Sequence, residues 1–411
     1  MKLTATPRSS NRPAGRRTFA ASAGGRTAFP ELDMLRGLAI CMVFAVHAVD
    51  YTGLTRLAWN GYFRILDIAS AEALLLPLKF GSSGVPIFFA VSGFCIHYFY
   101  KDLKSVALFY IRRSLRIVPP YWILLGAISS LPFVGKELFG ISLGTQFVSH
   151  LLLVHNFWDS TLYGIAPAWW TIAVEIQLYI LYPVVLYMSK RSGWTVTLLL
   201  VGSLELFLRA YNENAGLFFY NRLPNWLSSS PLSFWFSWTL GAWAADRRLH
   251  HRLLTMRPAY HLAFASLFLV CYFFRPLAGF TFTLVAFWTA TLLCSNTAYP
   301  TKANWFRLLG AVGLCSYSLY LLIDTVSFNA ATVFDSLFKS KPLVLVLLLL
   351  SFGPTYFLAK IIYSKVEKPF QDFGRRMYHS VHQSGEDVRP QVDSAQNFSR
   401  SWGGLATPKV S

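Results

Sequence analysis

The chain of 411 residues is 54% apolar and 17% aromatic, and only 14% of it is charged. About 25% charged residues is usual for soluble domains, so there is too little polar surface here to cover a water-soluble globule of this size. Lys and Arg outnumber Asp and Glu by 37 to 19, a net charge of +18. The basic residues sit between long apolar runs and not on one polar face, which excludes a nucleic-acid binder and is how a polytopic membrane protein places its positive charge.

Residues 1–29 hold Lys2, Arg8, Arg12, Arg16, Arg17 and Arg26, with no acid. No apolar h-region follows them, so this is not a cleavable signal peptide. Residues 1–30 read as a disordered basic tail on the cytoplasmic side. Eleven apolar segments come next, near 34–51, 83–100, 117–134, 146–157, 168–188, 194–211, 232–245, 259–274, 277–294, 308–328 and 343–363. A spanning helix needs about 20 residues. The 146–157 segment has only twelve and contains His150 and His155. Leaving it out puts 28 of the 37 basic residues on the side of the N-terminus and nine on the other. Counting it as a span flips every later loop and weakens that bias. The expected fold is therefore an all-α membrane bundle of about ten transmembrane helices over residues 31–370, with both termini cytoplasmic. The 146–157 segment is expected to be re-entrant or interfacial. Residues 371–411 are polar and read as a second disordered cytoplasmic tail.

The five cysteines all lie inside apolar runs without metal-ligand spacing. They read as small core residues, with no disulfide framework and no metal site.

Ionisable residues within apolar spans are expensive and mark function by default. The first span, ELDMLRGLAICMVFAVHAVDY, carries Arg36 and His47 eleven residues apart. At about 100° per residue the two share a helix face, about 16 Å apart along the axis. With Arg36 at the cytoplasmic interface, His47 falls near mid-membrane. Asp33, three residues before Arg36, is within its reach. The bland alternative is a topological anchor and a packing histidine. In YIRRSLRIVPPYW, Arg113 and Arg116 share a face. Paired guanidinium forks suit phosphate, whether of a ligand or of lipid headgroups. Glu175 is a lone acid in about twenty apolar residues and needs a partner on another helix. Glu205 and Arg209 pair locally at i, i+4, His97 is placed to snorkel, and Asp324 has no evident role.

Taken together, these segments resemble the acyltransferase family 3 of integral-membrane acyltransferases. ELDMLRGLAICMVFAVHA is similar to the family's opening LDGLRGLAA…VxxxH, with its Arg-X10-His at Arg36 and His47. GVPIFFAVSGFCI resembles GVxxFFVLSGFLI, matching Ser92, Gly93 and Phe94. FYIRRSLRIVPPYW resembles RRxxRIxPxYW, with Arg-X-X-Arg at Arg113 and Arg116. PAWWTIAVEIQLYILYPVVL resembles PLWSLSVExQFYLLxPLLL and puts the family acid at Glu175. LCSYSLYLL and VEKPFQDFG follow in family order, so the likeness runs over about residues 31–374. The chain departs from the pattern at Ile176, where the family often has a second acid, and at Ile323, where it usually has a histidine. No extracytoplasmic hydrolase-like domain is expected after the last span.

The resemblance implies a membrane-bound O-acyltransferase, with residues 31–370 as its transmembrane acyltransferase domain. It would move an acyl group, most often acetyl, from acyl-CoA as co-substrate to a hydroxyl, with no bound cofactor. A sugar hydroxyl needs a general base, and histidine suits that task. His47 and Glu175 are the expected catalytic residues, with Glu175 orienting the imidazole or stabilising its charged form. Arg36, Arg113 and Arg116 are expected to hold the phosphates of coenzyme A. Asp33, Ser92, Gly93 and Phe94 support the motifs. The expected partners are the bilayer, acyl-CoA and a glycan or other hydroxyl acceptor, with no nucleic acid. The acceptor is a cell-surface or exported glycan or its lipid-linked precursor, and the expected location is the bacterial inner membrane. A transporter of an acyl group or a lipid-linked glycan is the alternative, because it would also bury His and Glu.

Overall fold

The structure is a computed structural model that describes residues 29–54, 57–60, 62–66, 75–101, 105–131, 137–214 and 222–386. The expected tails at 1–28 and 387–411 lie outside the described residues. Helix dominates the described residues. Their two short sheets are antiparallel hairpins, β1 (Leu57–Asn60) with β2 (Phe63–Leu66) and β3 (Glu137–Leu138) with β4 (Ile141–Ser142).

Helix α1 spans Pro30–Thr52. Pro30 sits where the missing N–H costs nothing, and Glu31 and Asp33 lie at the positive end of the helix dipole. Gly53 stops the helix in the left-handed region at φ 64°. Helices α2 (Gly84–Tyr100), α3 (Val106–Ser129) and α4 (Leu143–Leu151) follow. Then come α5 (Trp170–Glu213), α6 (Trp235–Leu249), α7 (Pro258–Phe273) and α8 (Phe280–Leu293). The last are α9 (Asn304–Leu314), α10 (Ser316–Phe338), α11 (Lys341–Leu350), α12 (Phe352–Ile362) and α13 (Lys368–Glu386).

Five helical stretches among the described residues are long and apolar enough to cross a bilayer: Pro30–Thr52, Leu76–Tyr100, Pro167–Glu213, Ser316–Phe338 and Lys341–Met377. Helix α5 accounts for two of the expected segments. Its 44 residues would run about 66 Å at 1.5 Å per residue, some twice a hydrocarbon core of about 30 Å. The backbone at Gly193, with φ 79°, breaks it into two helices. Three further expected segments form shorter helices, α6, α7 and α8, of 15, 16 and 14 residues. The expected 308–328 segment is divided between α9 and α10 at Cys315.

Small residues let the central helices touch backbone to backbone, as in other membrane bundles. A Cβ on Gly93 of α2 would run into the Trp238 carbonyl of α6, and one on Gly37 of α1 into the Leu309 carbonyl of α9. Glu205 is fully buried and satisfied by Arg209 at 2.9 Å, Thr283 at 2.9 Å and the Ser237 N–H at 2.9 Å. The local pair read from the sequence is thus one edge of a network joining α5, α6 and α8.

Two sequence expectations change, and the segment expected to be re-entrant or interfacial takes a definite form. The 146–157 segment is a nine-residue α4, then a turn through Leu153 in the left-handed region, then a short 3₁₀ turn at His155–Phe157. His150 and His155 stack in it at 3.9 Å, fully buried. His97 does not snorkel. It is 2% exposed, 3.6 Å from Asp246 and 3.3 Å from the Tyr182 hydroxyl. The stretch expected to be disordered from residue 371 begins as helix and stays helical to Glu386. Its start is held by Glu367, buried at 1% exposure, which accepts from Ser318 of α10 at 2.6 Å and from Gln371 at 2.8 Å. The polar residues hid this amphipathic continuation, because its apolar face only acquires a partner when α13 packs on α3.

Candidate active site

Five helices converge on one cavity. Arg36 comes from α1, Ser92 and Cys95 from α2, Arg113 and Arg116 from α3, and Glu175 and Tyr179 from α5. Tyr317 and Tyr320 of α10 close it. The structure thus brings together five residues singled out from sequence: Arg36, Ser92, Arg113, Arg116 and Glu175.

The cavity is chemically graded. At one end Arg113, 8% exposed, lies with its guanidinium 4.6 Å from the Tyr100 ring centroid and 6.0 Å from that of Tyr179. Its Nε has no hydrogen-bond partner. Among the described residues neither Arg113 nor Arg116 has a carboxylate within ion-pair distance. A buried cation without a counter-ion is costly, and a site of this kind is stabilised by an incoming anion. Arg36 is held by Asp33 at 3.3 Å and reaches Cys95 Sγ at 3.1 Å. Toward the other end the lining becomes Val85, Phe88, Phe89 and Ile172.

Glu175 sits between these ends. It accepts from Ser92 at 2.7 Å and from Tyr179 at 2.5 Å. Ser92 in turn lies 3.3 Å from the Trp238 indole N–H. Gly93 serves the crossing of α2 over α6. Phe94 is 1% exposed and packs edge-on to Phe29 at 6.2 Å and stacks with Tyr98 at 5.7 Å.

His47 does not line this cavity. Its Nδ1–H donates to Asp324 Oδ1 at 3.0 Å. Tyr51, one turn further along α1, donates to the same oxygen. The other oxygen, Oδ2, accepts the Ala168 N–H at 2.6 Å. Asp324 is 1% exposed, and these three donors satisfy its buried carboxylate. With Nδ1 donating, Nε2 is the lone-pair nitrogen, the tautomer a general base needs. The His47 side chain is 25% exposed. The carboxylate that orients His47 is therefore Asp324 and not the expected Glu175, whose oxygens are turned to Ser92 and Tyr179. His47 also stands further along its helix than mid-span, five residues before α1 ends at Thr52.

Sequence reasoning missed Tyr179, Thr171, Tyr317, Tyr320 and the role of Asp324. Only Asp324 left a signal, as an acid inside an apolar run. The tyrosines resemble any others in a chain with 20 of them.

A family model described as an acyltransferase domain matches residues 29–363. The chain belongs to this acyltransferase family. Its apolar helices agree with an integral-membrane acyltransferase. It is 28% identical over 186 residues to nodulation protein 10 of Rhizobium leguminosarum bv. viciae, covering 41% of this chain and 47% of that one. It is also 28% identical over 158 residues to acyltransferase MdmB of Streptomyces mycarofaciens, covering 38% of each. The matches thus span less than half the length of either relative. No solved structure matches this chain.

Proposed function

We propose that this acyltransferase moves a short acyl group, acetyl in the first instance, from acyl-CoA to a hydroxyl of a cell-surface or exported glycan or its lipid-linked precursor. The observation that carries the reading is the pair of guanidinium groups, Arg113 and Arg116, without carboxylate partners among the described residues, in a cavity whose wall residue Tyr320 precedes by one helical turn the Asp324 that holds His47. Arg36, Arg113 and Arg116 bind the phosphates of the donor. The apolar end takes the pantetheine arm and the acyl group. His47 Nε2 accepts the proton of the acceptor hydroxyl as its oxygen attacks the thioester carbonyl. The new C–O bond forms, the C–S bond breaks, and the proton passes from His47 to the leaving thiolate. Asp324 holds the imidazole tautomer and stabilises the cation formed during the reaction. Glu175, Ser92 and Tyr179 shape the middle of the cavity.

The proposed setting is the bacterial inner membrane, with about ten spans and both termini cytoplasmic. The partition of basic residues supports this topology. The cytosolic donor then meets the arginine end of the cavity. The test is transfer of radiolabel from acyl-CoA to the glycans of isolated membranes, with mass analysis of the glycans of a deletion strain. Loss of O-acyl groups on deletion is the expected result. Labelled donor consumed with no modified glycan would overturn the acceptor, and no donor consumption would overturn the reaction.

A further inference from the structure

Between the arginine-lined cavity and His47 stands a bar made of two side chains. Tyr320 of α10 and Thr171 of α5 both line the apolar end of the cavity. Their hydroxyl oxygens lie 2.6 Å apart. Both lie within hydrogen-bond distance of the Ala168 carbonyl, Tyr320 at 3.0 Å and Thr171 at 3.1 Å, so one hydroxyl donates to that carbonyl and the other donates to its neighbour. The Phe88 ring stands edge-on to Tyr320 at 6.1 Å. Tyr320 and Thr171 are each 8% exposed. Asp324 follows Tyr320 by four residues, one turn further along α10, and there it meets His47.

The direction of the cavity follows from α2, which contributes Cys95, Ser92, Phe88 and Val85 to one wall. Ten residues at 1.5 Å make that wall about 15 Å long. Charge lies at the Cys95 end, beside Arg36, and apolar side chains lie at the Val85 end. A thioester bound with its phosphates on the guanidinium groups points its acyl group at Tyr320 and Thr171.

We propose that Tyr320 and Thr171 form the end wall of the donor cavity and set the length of acyl chain the enzyme accepts. This rests on the reading of the cavity as an acyl-CoA site. The wall is tethered to one backbone carbonyl, so a longer chain can fit only by breaking buried hydrogen bonds. A short acyl group fits against it with those hydrogen bonds intact. The wall belongs to the same turn that supplies the Ala168 N–H to Asp324. Acyl selection and the seating of the base therefore share one short segment of backbone.

The test compares initial rates with acetyl-, butanoyl- and hexanoyl-CoA in membranes carrying the full chain. It uses the wild type, Thr171→Ala and Tyr320→Leu, which enlarge the wall from opposite sides. Rates are expressed as the hexanoyl-to-acetyl ratio within each variant, so differences in insertion cancel. Admitting or excluding a single methylene is commonly worth about tenfold or more. The ratio should therefore rise at least about tenfold in both variants. A ratio unchanged from wild type in variants that still transfer acetyl overturns the wall. So does a wild type that uses hexanoyl-CoA as well as acetyl-CoA. Loss of transfer from every donor in both variants, at normal membrane insertion, makes the pair part of the catalytic support and also overturns a selecting role. A wild type that transfers from no acyl-CoA overturns the donor reading itself, and the wall with it.

Discussion

Asp324 and His47, 277 positions apart in the chain, meet at 3.0 Å. Among the described residues the carboxylate has no other side-chain donor except Tyr51, and its second oxygen is fixed by a backbone N–H. A histidine placed this way has one nitrogen committed and one available. That is the arrangement of a base and its orienting acid, here built from the first helix and the tenth.

His47→Gln is the sharpest test of the base. Gln keeps the length and the hydrogen bond to Asp324 but cannot accept the proton. General-base catalysis contributes roughly 10²–10⁴-fold, so transfer should fall by about that factor at normal insertion. Near wild-type transfer would make His47 a packing residue.

Asp324→Asn separates positioning from binding. The amide fills the same space but no longer favours the imidazolium. Turnover should drop by on the order of 10²-fold or more, while KM for acyl-CoA stays nearly constant. A rise in KM with unchanged turnover would put Asp324 in donor binding and not behind His47.

Arg113→Ala and Arg116→Ala address the anion site. On the proposed reading each removes a charge-assisted contact to the donor worth about 1.5–3 kcal/mol, equal to about ten- to a hundredfold in apparent affinity for acyl-CoA. Lysine at either position should restore only part of this, because a point charge replaces a planar fork. Unchanged donor saturation in both alanine variants would assign the two arginines to lipid headgroups.

Reporter fusions after residues 104, 140, 190 and 220 should read inside, outside, inside and outside. The third position decides whether the segment around α4 crosses. With nine helical residues α4 reaches only about 14 Å, too short for a core of about 30 Å. An outside reading at 190 would require a crossing there and would invert all later helices.

His150 adds a pH dependence to folding. Burial pushes its pKa down from 6.5 to about 4, and burial also lowers that of His155, with the neighbouring His150 adding to the shift. Between about pH 6.5 and 4 the unfolded chain takes up protons that the folded chain does not, so stability falls as pH falls through that window. Thermal unfolding in detergent should show this loss. His150→Gln, which does not titrate, should flatten it. An unchanged slope in that variant would show that His150 does not contribute.

Composition alone decided that this chain enters a membrane, because nothing else covers so much apolar surface. The order of short motifs was enough to name the family, and helical periodicity put Arg36 in line with His47. The Arg-X-X-Arg spacing placed two guanidinium groups on one face. These are local properties, carried within about a dozen residues. The partner of His47 is not local. Glu175 and Asp324 are both single acids in apolar runs, and no pattern along the chain says which one the imidazole will meet. That was settled when Gly37 let α1 approach α9 and the turn before α5 offered the Ala168 N–H to α10. The same packing turned Glu175 toward Ser92 and set Tyr320 against Thr171. Side-chain identity fixes what each group is able to do. Only the crossing of distant helices, closed by backbone contacts that a single Cβ would prevent, decides which groups do it together.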